Sequence, residues 1–211
     1  MADDFYTDLN FTIDLFKQTY SKWTLNQVLG LTQWILRRED CPADLASRID
    51  VSLKNAKAAY VLVDGDTFMP ISTPEEGAAV EKAINDATDF GAAGPRAHLK
   101  ASAEYMTSGK YPDSLRESIH AVEATAKLLA PEAKNDALKG ALAAVAKKHS
   151  IHEAMQKGFA NLYGFTSDEK GIRHALLEKG DANVDAINAQ YMLGACAAFV
   201  SYLLARARER A

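Results

Sequence analysis

The run PDSLRESIHAVEATAKLLA (residues 112–130) decides how the rest of the chain is read. Leu115, Ile119, Val122, Ala126 and Leu129 recur at alternating steps of four and three, which places them on one stripe of an α-helix. Ser114 with Glu117 three residues later has the form of a capping box, and Pro131 ends the segment. Arg116, His120, Glu123 and Lys127 share the opposite, polar face.

The same helical spacing extends in both directions. Residues 5–38 read as helical, with Phe11, Leu15, Trp23 and Trp34 recurring without strand alternation and Ser21 or Thr24 as N-caps. CPADLASRIDVSLKNAKAAY (41–60) continues as a helix with Leu45, Ile49 and Leu53 on one stripe. From residue 95 onward the pattern is helical throughout, with segments ended by Gly109 and Pro131 and further helices around Gly158 and Gly164. The last helix begins near Asn183 and carries two apolar stripes. One is Val184, Ile187, Tyr191, Ala195 and Tyr202; the other is Leu193, Cys196, Val200 and Leu203. Two apolar faces place it at a bundle centre or against a second chain.

One stretch departs from the pattern. AYVLVDGDTFMPIS (59–72) sets β-branched and aromatic residues on both sides of Asp64-Gly65, a strong hairpin signal. STPEEGAAVEKAI (72–84) follows with Thr73 as N-cap, Pro74 at the first helical position and Glu76 completing a capping box. DFGAAGPR breaks that helix at Gly91 and Gly94. The expected fold is therefore mainly α: residues 1–72 form a helical segment with a β-hairpin near 60–71, and residues 73–211 a helical bundle. The strand content is too small for an α/β fold.

The chain of 211 residues suits one domain or a small domain joined to a larger one. Its net charge of −4 gives the surface as a whole no attraction for nucleic acid. Cys41 and Cys196 are too few for a disulfide framework or a cysteine metal site, which fits reduced thiols in a cytoplasmic protein. MADDFYTDLN lacks the apolar core of a signal peptide, and no run reaches the roughly 20 apolar residues of a membrane span. No membrane association is expected.

Phosphate loops, dinucleotide fingerprints, nucleophile elbows and HExxH motifs are missing from the sequence. His149, His152 and Glu153 have the spacing of a metal pair without an evident third ligand, and read as solvated residues near a helix junction. No metal or cofactor is expected. The remaining concentration of chemistry is SDEKGIRHALLEKG (167–180), where Arg173 stands beside His174. Arginine offers a planar five-donor fork suited to phosphate, and histidine moves protons near neutrality. RNA cleavage without metal needs both functions. Adjacent helical residues point about 100° apart, so joint action requires a turn, which Gly171 and Gly180 allow.

Four segments together resemble a known group: YVLVDGDTFMPISTPEEGAAVEKAI, YPDSLRESIHAVEATAKLL, FANLYGFTSDEKGIRHALLE and AINAQYMLGACAAFVSYLL. The first is similar to the N-terminal domain of AbiJ-type abortive-infection proteins of bacteria, and the others to HEPN domains. Those domains are all-α bundles, commonly dimeric, many of them metal-independent RNases. The resemblance covers residues 60–205 well and the first 55 weakly. It implies a phage-defence protein, cytoplasmic and homodimeric, acting on RNA as an endoribonuclease. Arg173 and His174 would be catalytic, and Arg116, His120 and Glu123 supporting. The family's signature places the His four to six residues after the Arg, whereas here it is adjacent. The alternative implied is a non-catalytic HEPN-like module for recognition or assembly. It would bind a nucleotide or a protein partner of a defence or toxin–antitoxin system.

Overall fold

In the computed structural model, residues 9–133, 137–168 and 184–209 are described. They form nine α-helices and a single two-stranded antiparallel hairpin, the mainly α fold expected. The chain groups into two units, Met1–Leu45 and Ala46–Ala211, so residue 72 lies within the second.

The first unit holds α1 (Leu9–Tyr20) and α2 (Leu25–Leu36). Thr24 caps α2: its hydroxyl accepts from the Gln27 N–H, and the Gln27 side chain accepts in return from the Thr24 N–H. Ser21 instead donates to the carbonyl of Gln18 behind it. Among the described residues of this unit Leu29 is buried, Val28, Leu31, Ile35 and Leu36 are half-buried, and Leu15, Phe16, Trp23 and Trp34 are exposed. The helix α3 (Leu45–Asn55) starts three residues beyond Pro42, and its stripe of Leu45, Ile49 and Leu53 is half-buried.

The hairpin pairs β1 (Tyr60–Val63) with β2 (Thr67–Pro70), Tyr60 facing Pro70 and Val63 facing Thr67. Asp64 and Gly65 turn the chain at φ of 55° and 72°, the left-handed region that Gly adopts freely and Asp tolerates. An isolated hairpin is marginal. This one is covered on its Val63 and Met69 face by the bundle and fastened through its turn. Asp64 accepts from Arg96 at 2.6 and 2.8 Å and from Lys100 at 3.0 Å, and Lys100 also reaches Asp66 at 2.7 Å. Burial alone would push the Asp64 carboxyl's pKa up; the hydrogen bonds and charges of Arg96 and Lys100 outweigh it and hold the pKa below the usual carboxylate value.

Arg96 and Lys100 belong to α5 (Ala93–Thr107), which packs beside α4 (Pro74–Asp89) and α6 (Tyr111–Leu129). Thr73 caps α4 as expected, but the Glu76 carboxylate reaches one residue past the cap, to the Ser72 N–H. Gly91, with φ of 73°, ends α4, whereas Gly94 lies inside the first turn of α5. Helix α6 begins four residues earlier than a Ser114 cap requires. Ser114 is therefore interior and buried, and the expected capping box does not exist. Its hydroxyl serves a different purpose: Ser102 Oγ lies 3.0 Å from Ser114 Oγ and 2.8 Å from Ser118 Oγ, and donates to the Ser114 carbonyl. Three buried hydroxyls thus satisfy one another across the α5–α6 seam.

The remaining helices are α7 (Leu138–His149), α8 (Glu153–Asp168) and α9 (Ala186–Arg208). Helix α9 packs on α4, α5 and α6, making these four the centre of the bundle, and α8 joins it through Phe159 stacked 4.1 Å from Phe199. Its Leu193, Cys196, Val200 and Leu203 stripe is buried, and burial pushes the Cys196 thiol's pKa up. Along the other stripe Val184 is buried but Ile187 and Tyr191 are exposed. By length and composition α9 reaches what a membrane span requires, which the sequence reading did not expect; half of its most apolar stretch is buried inside the bundle.

Candidate functional site

Helices α5 and α6 form an antiparallel hairpin about Gly109, whose φ of 70° lets α5 end and the chain reverse. His98 stands eleven residues before Gly109 and His120 eleven after it, so the reversal sets them at the same level. Their ring centroids are 5.4 Å apart, edge to face. Glu117, one turn before His120 on the same face of α6, lies between them. His98 Nδ1 is 2.6 Å from Glu117 Oε2; a carboxylate only accepts, so the imidazole N–H donates. His120 Nδ1 is 3.6 Å from Glu117 Oε1. Side-chain exposures of 36% for His98, 21% for Glu117 and 42% for His120 leave the cluster open to solvent on one side.

The helices are held close on both sides of this cluster. One turn along α5 is the buried serine seam of Ser102, Ser114 and Ser118. One turn the other way is Gly94, where a Cβ would stand 3.7 Å from that of Ala124. The three donor-bearing side chains therefore project from a fixed frame rather than from loops. The two imidazoles can donate to an anion, and together with the carboxylate they can relay protons or ligate a metal.

Of the expected supporting residues, only His120 belongs to this cluster. Arg116 forms an ion pair with Asp113, one turn toward the start of α6. Glu123 accepts from Lys127 at 2.6 Å, one turn toward the other end. All three lie on the polar α6 face, but the contacts of Arg116 and Glu123 are with their own helix. Arg173 and His174, expected to be catalytic, lie outside the described residues. His149 is buried rather than solvated, because the last turn of α7 faces the core there. His152 is exposed, and its Nδ1 accepts from the Ala154 N–H at the start of α8, which uses that nitrogen as a cap.

His98 and Glu117 were missed as site residues. The three-residue step from Glu117 to His120 was visible on a helix already recognised. His98 required the register of the α5–α6 hairpin, which Gly109 supplies.

Comparison with family models, with curated proteins and with solved structures finds no match for this chain.

Proposed function

We propose that this chain is a bacterial phage-defence protein of the HEPN-like, AbiJ-related kind, acting on RNA as a homodimer. The supporting observation is the polar face of α6, where Arg116 and His120 stand one turn apart and His98 is added from α5. A half-exposed ion pair within one helix, such as Arg116–Asp113, contributes only about 1 kcal/mol, so a phosphate oxygen can replace Asp113 on the guanidinium fork. A strand laid along this face would be positioned by its backbone, without base readout.

Cleavage itself is assigned to Arg173 and His174. The imidazole of His174 takes the proton of a 2′-hydroxyl, whose oxygen attacks the adjacent phosphorus. The bond from phosphorus to the 5′-oxygen breaks, and that oxygen takes a proton from the His174 imidazolium of the second copy. The products are a 2′,3′-cyclic phosphate and a 5′-hydroxyl. Arg173 neutralises the charge gathered on the phosphate oxygens. Purified protein incubated with total RNA, beside an Arg173→Ala/His174→Ala variant, tests this. Cleavage lost in the variant supports it, and equal cleavage by both overturns it.

A second reading, a non-catalytic module that binds a nucleotide or protein partner, is favoured by a different feature. A cleft of about 650 Å³ lies between the end of α3, strand β1 and the start of α4, with Lys54, Lys57, Tyr60, Thr73 and Glu81 in its walls. Saturable nucleotide binding lost in Tyr60→Ala, together with no RNA cleavage, would select this reading over the first.

A further inference from the structure

We propose that His98, Glu117 and His120 bind one divalent transition-metal ion, zinc foremost, through three protein ligands with the fourth position left to water. The proposal stands independently of any action on RNA. One ligand atom from each residue lies within 4.8 Å of the others, and no other group of three such side chains stands so close among the described residues.

The spacing fits an ion with little movement. Zinc–nitrogen and zinc–oxygen bonds of about 2.0–2.2 Å in tetrahedral array put ligand atoms about 3.3 Å apart. The two carboxylate–imidazole separations, 2.6 Å and 3.6 Å, bracket that value. Both imidazoles present Nδ1 to the same carboxylate from different helices, His98 to Oε2 and His120 to Oε1. The donor set is also selective: imidazole nitrogen with one carboxylate suits zinc, cobalt, nickel and copper, whereas magnesium and calcium take all-oxygen sites. One negative charge offsets part of the ion's charge, and the nearby Arg116 is already compensated by Asp113. The partial exposure of all three side chains gives the ion a path of entry.

Bound there, the ion would cross-link α5 to α6 at the level set by the serine seam, and would add positive charge to the polar α6 face. Its effect is therefore expected in stability as well as in binding.

The test is titration of the chelator-stripped full chain with zinc by calorimetry and with cobalt by visible absorption. Binding of one ion per chain is expected. Cobalt should give the d–d absorption of a tetrahedral nitrogen–oxygen site, displaced by zinc. His98→Ala, Glu117→Gln and His120→Ala should each weaken zinc binding by more than about 100-fold, beyond what loss of a residue behind the ligands costs. His152→Ala should leave it unchanged. Zinc should raise the melting temperature of the wild type and not of these three variants. Absence of stoichiometric binding in the wild type overturns the proposal, as does zinc affinity retained in His98→Ala/His120→Ala. Glu117→Gln, which preserves side-chain shape, answers the question if the double variant does not fold.

Discussion

Glu117 Oε2 lies 2.6 Å from His98 Nδ1, and this contact ties α5 to α6 midway between a close Gly94–Ala124 approach and a buried cluster of three serines. A charged group between two helices is held in place by the packing on either side of it, so the seam should be sensitive to changes that touch no catalytic or ligand atom. Ser102→Ala removes the hydroxyl that contacts both Ser114 and Ser118. A loss of about 1 kcal/mol is expected, the size of one net hydrogen bond. Chemical denaturation at neutral pH measures it; unchanged stability would show that the serines do not cooperate.

The hairpin clamp gives a pH dependence with a definite sign. The Asp64 pKa is held below its unfolded value of about 3.9 by Arg96 and Lys100, against burial. A lowered carboxylate pKa contributes stability that is fully present above the unfolded value and is lost as pH falls through the folded one. Asp64→Asn keeps a side chain that tolerates the positive φ while removing the charge. It should cost about 1–2 kcal/mol at neutral pH, the worth of hydrogen bonds to a charged group. The difference from wild type should shrink below the unfolded value, and denaturation at pH 7 and in the acid range checks both halves.

Two helical glycines should respond oppositely to alanine. At Gly77 a Cβ would sit 3.1 Å from Val61 Cγ1 and 3.2 Å from Ile71 Cγ2, both on stiff β-branched side chains. The overpacking outweighs the helix-propensity gain, and Gly77→Ala should destabilise by about 1–2 kcal/mol. At Gly158 nothing lies within 4 Å, so alanine should stabilise by up to about 1 kcal/mol. Thermal melts of the two variants settle the order.

The proposed dimer has a surface that can be tested. Ile187 and Tyr191 are 77% and 59% exposed on the face of α9 turned away from its buried stripe. Sedimentation at low micromolar concentration should show a dimer, and Ile187→Glu/Tyr191→Glu a monomer. A wild-type monomer would remove the shared site.

The helices and the hairpin were legible because their signals are local. The four–three stripe of α6, Thr73 before Pro74, and Asp64-Gly65 each report on neighbours within a turn or two. Ser114 misled for the same reason: serine followed by glutamate three residues on looks like a cap wherever it stands, and only the packing of α5 shows it to be interior. The His98–Glu117–His120 cluster was half legible. Glu117 and His120 are local, whereas His98 arrives through the reversal at Gly109. Helix α9 was recognised as buried, but which of its stripes faces the bundle depends on four other elements and not on its own periodicity.

The proposed cleavage of RNA through Arg173 and His174 leaves a product that end-group analysis identifies. A single-stranded RNA is incubated with the wild type and with Arg173→Ala/His174→Ala, chelator present in both. The wild type alone should leave 2′,3′-cyclic phosphate ends. Intact RNA from the wild type, or the same ends from both proteins, would rule this cleavage out.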